Sequence, residues 1–172
     1  FIFLLTLFVY IFFAGRLQFN FPASPTNYYS YLSEAFLNGK IYFISMPKSL
    51  NDLSVFNNNI YMYWGPGAVL LILPFIAIFG INISDALYTA LLASFSPLFL
   101  YLCLIQLEKT GITNLSILKK ILLCIFFAFG TIYLYISVNG AIWFTTQAIA
   151  TFYILVSLYF LLRYLGKPFL FN

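Results

Sequence analysis

The chain has 172 residues, 63% hydrophobic and 7% charged, against roughly 25% charged in an ordinary soluble domain. Eight basic and four acidic side chains are too few to cover a water-exposed surface, which excludes an ordinary soluble protein and leaves lipid to cover the remainder. The net charge of +4 is thinly scattered with no basic cluster, which excludes a nucleic-acid surface and makes the basic residues topology signals.

The first apolar stretch, residues 1–15, starts on Phe1 and is followed by Arg16. It lacks the basic start and small-x-small cleavage site of a signal peptide. It reads as a first transmembrane helix cut short at its beginning, in a piece of a longer protein. Ser24-Pro25 has the form of an N-cap followed by proline at the first helical position. Tyr28, Tyr31, Leu32, Ala35 and Phe36 follow at helical spacing, with Asn27, Ser30 and Glu34 opposite and Gly39 at the end. The spacing predicts an amphipathic helix over 25–38 lying on the membrane surface. Two weakly alternating stretches, 40–46 and 59–64, predict extended segments joined by a polar loop, 47–58. Tyr61, Tyr63 and Trp64 then stand where an aromatic belt would.

Residues 66–79 form an apolar stretch of about 14 residues containing Pro74, short of the roughly 20 needed to cross a bilayer. They read as an interfacial or re-entrant helix. Ser84-Asp85 predicts a helix cap, and 85–107, 120–138 and 145–165 are each long enough to cross. A turn with Gly111 and Asn114 precedes the second of these, and Asn139-Gly140 precedes the third.

With four spans and an outward first helix, Lys109, Lys119, Lys120, Arg163 and Lys167 share the cytoplasmic side, while Arg16, Lys40 and Lys48 lie outside. A fifth crossing at 66–79 would split the first group, so the positive-inside rule favours four. The expected fold class is all-α integral membrane: about four transmembrane helices in one domain over 1–172, with a long external loop, 16–84, carrying two juxtamembrane helices.

The chain contains no histidine, which removes His-based triads and zincin sites. Cys103 and Cys124 stand singly in apolar runs without CxxC spacing and read as small packing residues.

One series of motifs has a family likeness. Tyr28-Tyr29-x-Tyr31-Leu32-Ser33-Glu34-Ala35-Phe36-Leu37-Asn38-Gly39-Lys40 is followed by Asn51-Asp52-Leu53, then Tyr61-x-Tyr63-Trp64-Gly65-Pro66-Gly67, then a short apolar helix ending in Phe79-Gly80. In order and spacing this resembles the amino-terminal part of the GT-C superfamily of polytopic glycosyltransferases. The likeness is to bacterial relatives of the protein O-mannosyltransferases and of the lipid A aminoarabinose transferase. It covers most of 16–107 and, more loosely, Trp143-x-x-x-Gln147.

The resemblance implies transfer of a hexosyl or pentosyl group from a polyprenyl-phosphate donor to a glycan, lipid or protein acceptor on the non-cytoplasmic face. The default location is a bacterial inner membrane. It implies a carboxylate to take the acceptor's proton and cations to steady the leaving phosphate. The family carries an acidic residue just before its first juxtamembrane helix, where this chain has Thr26-Asn27. The remaining loop acids are Asp52, the first choice for the catalytic base, and Glu34. Each has a plainer reading, Asp52 as a turn residue and Glu34 as a solvated carboxylate. Candidate substrate contacts are Arg16, Lys40 and Lys48 for phosphate, Tyr28, Tyr63 and Trp64 for stacking on sugar, and Gln147 for a contact in the cavity, with Asn27 and Asn51 counted beside them. Their plainer readings are interfacial anchors, belt aromatics and interhelical bonds. No cofactor is expected. The carboxylates form no recognisable ligand set, and a divalent metal stays open. A transporter or flippase of a lipid-linked substrate, or an inactive membrane scaffold, are the alternatives.

Overall fold

The computed structural model describes residues 1–165, so the expectation for Lys167 lies outside the described residues. The chain forms α1 (Ile2–Ala14), α2 (Tyr28–Leu37), β1 (Leu53–Phe56) and β2 (Asn59–Met62). A 3-10 turn, Pro66–Ala68, leads into α3 (Val69–Phe79). Then come α4 (Asp85–Ala93), α5 (Phe95–Lys109), α6 (Ile117–Phe129), α7 (Ile132–Val138) and α8 (Ala141–Leu165). The described residues are mostly helical. Two helical segments, Asp85–Lys109 and Ala141–Leu165, are each 25 residues long and apolar enough to cross a membrane. The α6–α7 pair makes a third if its 56° bend is counted within one span. α1, with 13 residues, is about 20 Å long, less than the roughly 30 Å of a hydrocarbon core. Residues 66–79 are a short apolar helix, as expected.

The breaks in the long helices follow from single residues, and tyrosines satisfy the backbone they free. Pro97 has no N–H to give to Ala93. The Ala93 carbonyl instead accepts the Tyr133 hydroxyl at 3.2 Å, and the α4–α5 step falls there. α6 ends at Gly130, and the Ala128 carbonyl accepts the Tyr10 hydroxyl at 2.9 Å. Non-helical backbone at membrane depth requires such partners. Small side chains let the helices approach: Ala86, Ala90 and Ala93 form a buried stripe on α4 against Tyr10, Tyr133 and Ala148. Thr89 and Thr145 hydroxyls meet at 2.7 Å between α4 and α8. Both cysteines are buried and free, consistent with packing roles. At the end of the bundle away from residues 16–84, buried Lys120 pairs with Glu108.

Residues 16–84 differ from expectation in two places. The helix begins at Tyr28, because Ser24 is engaged by Asp85 and caps nothing. Its Asn27 and Ser30 side is buried and not solvated: the turn after α3 covers it, and α2 also packs on α3. The polar loop 47–58 contains a strand. β1 pairs antiparallel with β2, with Phe56 opposite Asn59, so Asn57-Asn58 is a two-residue turn. Both turn residues have positive φ, 46° and 59°, which suits asparagine in a type I′ hairpin. The 40–46 stretch contributes a single bridge, Phe43 to Ile60.

Candidate functional site

Two polar clusters lie at the end of the bundle that carries residues 16–84. The first forms around Asp52. Tyr28 is fully buried, with its ring beside Phe43, and its hydroxyl donates to the Asn51 carbonyl at 2.7 Å. That bond fixes the residue before Asp52, which itself turns at a φ of 59°. The exposed carboxylate of Asp52 accepts the Trp143 indole N–H through Oδ2 at 3.2 Å, across 91 residues. Oδ1 has no hydrogen bond among the described residues and is open to solvent. Gln147 is exposed one turn further along α8, on the same face as Trp143. Trp143 and the loop acid are therefore brought together, with Gln147 one turn further along the same face of α8.

Beside this cluster, the Tyr29 hydroxyl bridges the Gly65 carbonyl at 3.3 Å and the Thr146 hydroxyl at 3.0 Å, joining α2, the turn before α3, and α8. Burial pushes the Tyr29 phenol above its ordinary pKa, partly opposed by the Thr146 bond. Tyr31 is also raised, by burial first and then by the Glu34 charge, with a Lys48 backbone bond acting the other way. Glu34 and the Lys48 backbone thus both neighbour Tyr31. Glu34 is half-buried, its Oε2 has no partner, and no ion pair or hydrogen bond joins it to Asp52 among the described residues. Tyr63 and Trp64 stack at 5.4 Å, and Tyr63 is exposed. Lys40 is exposed and lies over the Tyr42 ring at 5.9 Å. The Tyr28 ring is covered, so it offers no face to a sugar.

The second cluster ties three segments together. Asn27 donates its amide to the Ile83 carbonyl at 3.1 Å and the Ile81 carbonyl at 3.5 Å. Its oxygen accepts Ser30 at 2.8 Å and Tyr88 at 2.5 Å. All of its polar capacity serves the fold. Asp85, 1% exposed, accepts the Ser24 N–H at 2.9 Å, the Ser24 hydroxyl, and the Ala141 N–H at 2.7 Å. Ser84 caps the Leu87 N–H, as expected for this helix start. Arg16 borders the same region and not the Asp52 cluster. Sequence reasoning missed the linking role of Asp85, because its partners are 61 and 56 residues away and an acid at a helix start already has a local explanation.

The described residues hold no group of three or more Cys, Asp or Glu suited to a metal ion. Compared with family models, with curated proteins and with solved structures, the chain matches none.

Proposed function

We propose that this chain is part of a membrane glycosyltransferase that moves a sugar from a polyprenyl-phosphate donor to an acceptor on the non-cytoplasmic face of a bacterial inner membrane. The observation that carries this reading is the meeting of Asp52 with Trp143, one turn from Gln147. It joins the loop acid and the helix motif that the resemblance to the GT-C superfamily singles out. In the proposed reaction Asp52 Oδ1 takes the proton of the acceptor hydroxyl. The acceptor oxygen bonds to the anomeric carbon, and the bond from that carbon to the phosphate oxygen breaks. The polyprenyl phosphate leaves with the electron pair. Trp143 holds the second carboxylate oxygen, and Lys48 and Lys40 supply positive charge in the same loop.

The topology that this requires has four crossings, with residues 16–84 outside. Two features support it. The end of α1, the start of α4 and the α7–α8 turn border one cavity, as antiparallel neighbours would. Lys109, Lys119, Lys120 and Arg163 lie at the opposite end, against Arg16, Lys40 and Lys48 at this one, so the larger share of Lys and Arg is away from residues 16–84. That is the asymmetry expected when the Lys-rich end is cytoplasmic.

The test is Asp52→Asn in the full-length protein, assayed in membrane vesicles for transfer from lipid-linked sugars. Loss of a general base lowers the rate by about 10² to 10⁴-fold, while expression and thermal unfolding stay as in the unmodified protein. Full activity in the variant would remove Asp52 from the mechanism.

A further inference from the structure

A cavity of about 200 Å³ opens where the apolar run of α1 ends. Ala14 and Arg16 border it from α1 and the turn after it, Ser24 from the extended segment, Asp85 from the start of α4, and Val138 and Asn139 from the end of α7. It therefore carries one charge of each sign. Arg16 is exposed and has no carboxylate partner among the described residues, whose ion pair is Lys120 with Glu108. Asp85 is nine-tenths or more buried, yet lines the cavity.

A carboxylate offers about four lone-pair positions. Ser24 fills two of those of Asp85, through its N–H and its hydroxyl, and the Ala141 N–H fills a third. One acceptor position is left, on Oδ1, of a residue that borders the cavity. A ligand that satisfies both charges must put an anion on the guanidinium and a hydrogen-bonding cation on the carboxylate. The space equals about six or seven water volumes, so the group is small. It lies where apolar helix gives way to polar chain, the depth of lipid headgroups in a protein with membrane-spanning helices.

We infer that this cavity binds the zwitterionic phosphoethanolamine headgroup of a bilayer phospholipid, with phosphate on Arg16 and the primary ammonium on Asp85. Arginine suits phosphate because its planar fork can donate two parallel bonds. A choline headgroup has no N–H for the open lone pair of Asp85. An anionic glycerol headgroup sets nothing positive against that carboxylate. The inference rests on the membrane reading and is independent of sugar transfer.

The experiment is native mass spectrometry of the full-length protein in mild detergent. The protein is equilibrated with equal amounts of phosphatidylethanolamine, phosphatidylcholine and phosphatidylglycerol of matched chains. One charge-assisted hydrogen bond is worth about tenfold in binding, so the ethanolamine lipid is retained about tenfold over each of the others. Arg16→Gln, at an exposed position, lowers that retention by about the same factor. Asp85→Asn abolishes the preference for ethanolamine over choline. Because Asp85 also holds the fold together, the unmodified protein is tested with the N-methylated series as well. The monomethyl lipid, which keeps N–H donors, binds like ethanolamine, and the trimethyl lipid does not. Equal retention of ethanolamine and choline lipids, or unchanged retention in Arg16→Gln, would overturn the proposal. Displacement of the lipid by an equal concentration of soluble phosphoethanolamine would overturn its assignment to a lipid.

Discussion

Asp85 and Ala141, 56 residues apart, are joined by a 2.7 Å hydrogen bond from the Ala141 N–H to the Asp85 carboxylate. The same carboxylate holds Ser24, so one buried side chain ties the segment before α2 to the starts of α4 and α8. Asp85→Ala leaves two backbone donors and a hydroxyl without an acceptor. The expected loss is about 3 kcal/mol or more, read as a lowered unfolding temperature of the full-length protein in detergent. An unfolding temperature equal to that of the unmodified protein would mean that water replaces the carboxylate without cost.

Gly140 sits against that knot. Its φ is +61°, and an added Cβ would lie 2.6 Å from the Ala86 nitrogen and 2.9 Å from the Asp85 carboxyl carbon. Gly39 has a similar φ, +67°, but open space around it. Gly39→Ala is expected to cost about 1 kcal/mol, from the left-handed backbone alone. Gly140→Ala adds a collision with backbone and should cost about 2 kcal/mol or more. Thermal unfolding of the two variants checks the order, and equal losses would contradict the contact.

Asn27 occupies the position where the resemblance leads one to expect an acid. Its amide nitrogen faces the Ile81 and Ile83 carbonyls. Asn27→Asp would set an anion against two acceptors and is expected to cost about 2 kcal/mol. Thermal unfolding of the variant in detergent checks this, and an unchanged unfolding temperature would contradict the two amide bonds.

The helices were legible wherever local chemistry decides them. The apolar runs, the Ser84 cap, the Asn139-Gly140 turn and the short helix at 66–79 are all at or near their expected places. The strand at 53–56 was hidden because its partner follows through Asn57-Asn58, which reads as polar loop until its positive φ values make it a hairpin turn. The start of α2 was misplaced because Ser24-Pro25 is a good local cap, but Asp85 engages Ser24 from 61 residues away. Asp52 was legible as a candidate through the resemblance, while its hydrogen bond to Trp143 depends on packing that no spacing encodes.

The glycosyltransferase account stands or falls on which side residues 16–84 and the α7–α8 turn face. Single cysteines at Asn58, Asn114 and Asn139, all exposed, would be introduced into a full-length protein freed of its other cysteines. Asn139 is preferable to Gly140, whose positive φ and close neighbours disfavour a side chain. Intact cells would then be treated with an impermeant thiol reagent. The account predicts labelling at 58 and 139 and protection at 114. Labelling at 114 with protection at 139 would mean that residues 66–79 cross the membrane, which would contradict the four-crossing topology and the external site built on it.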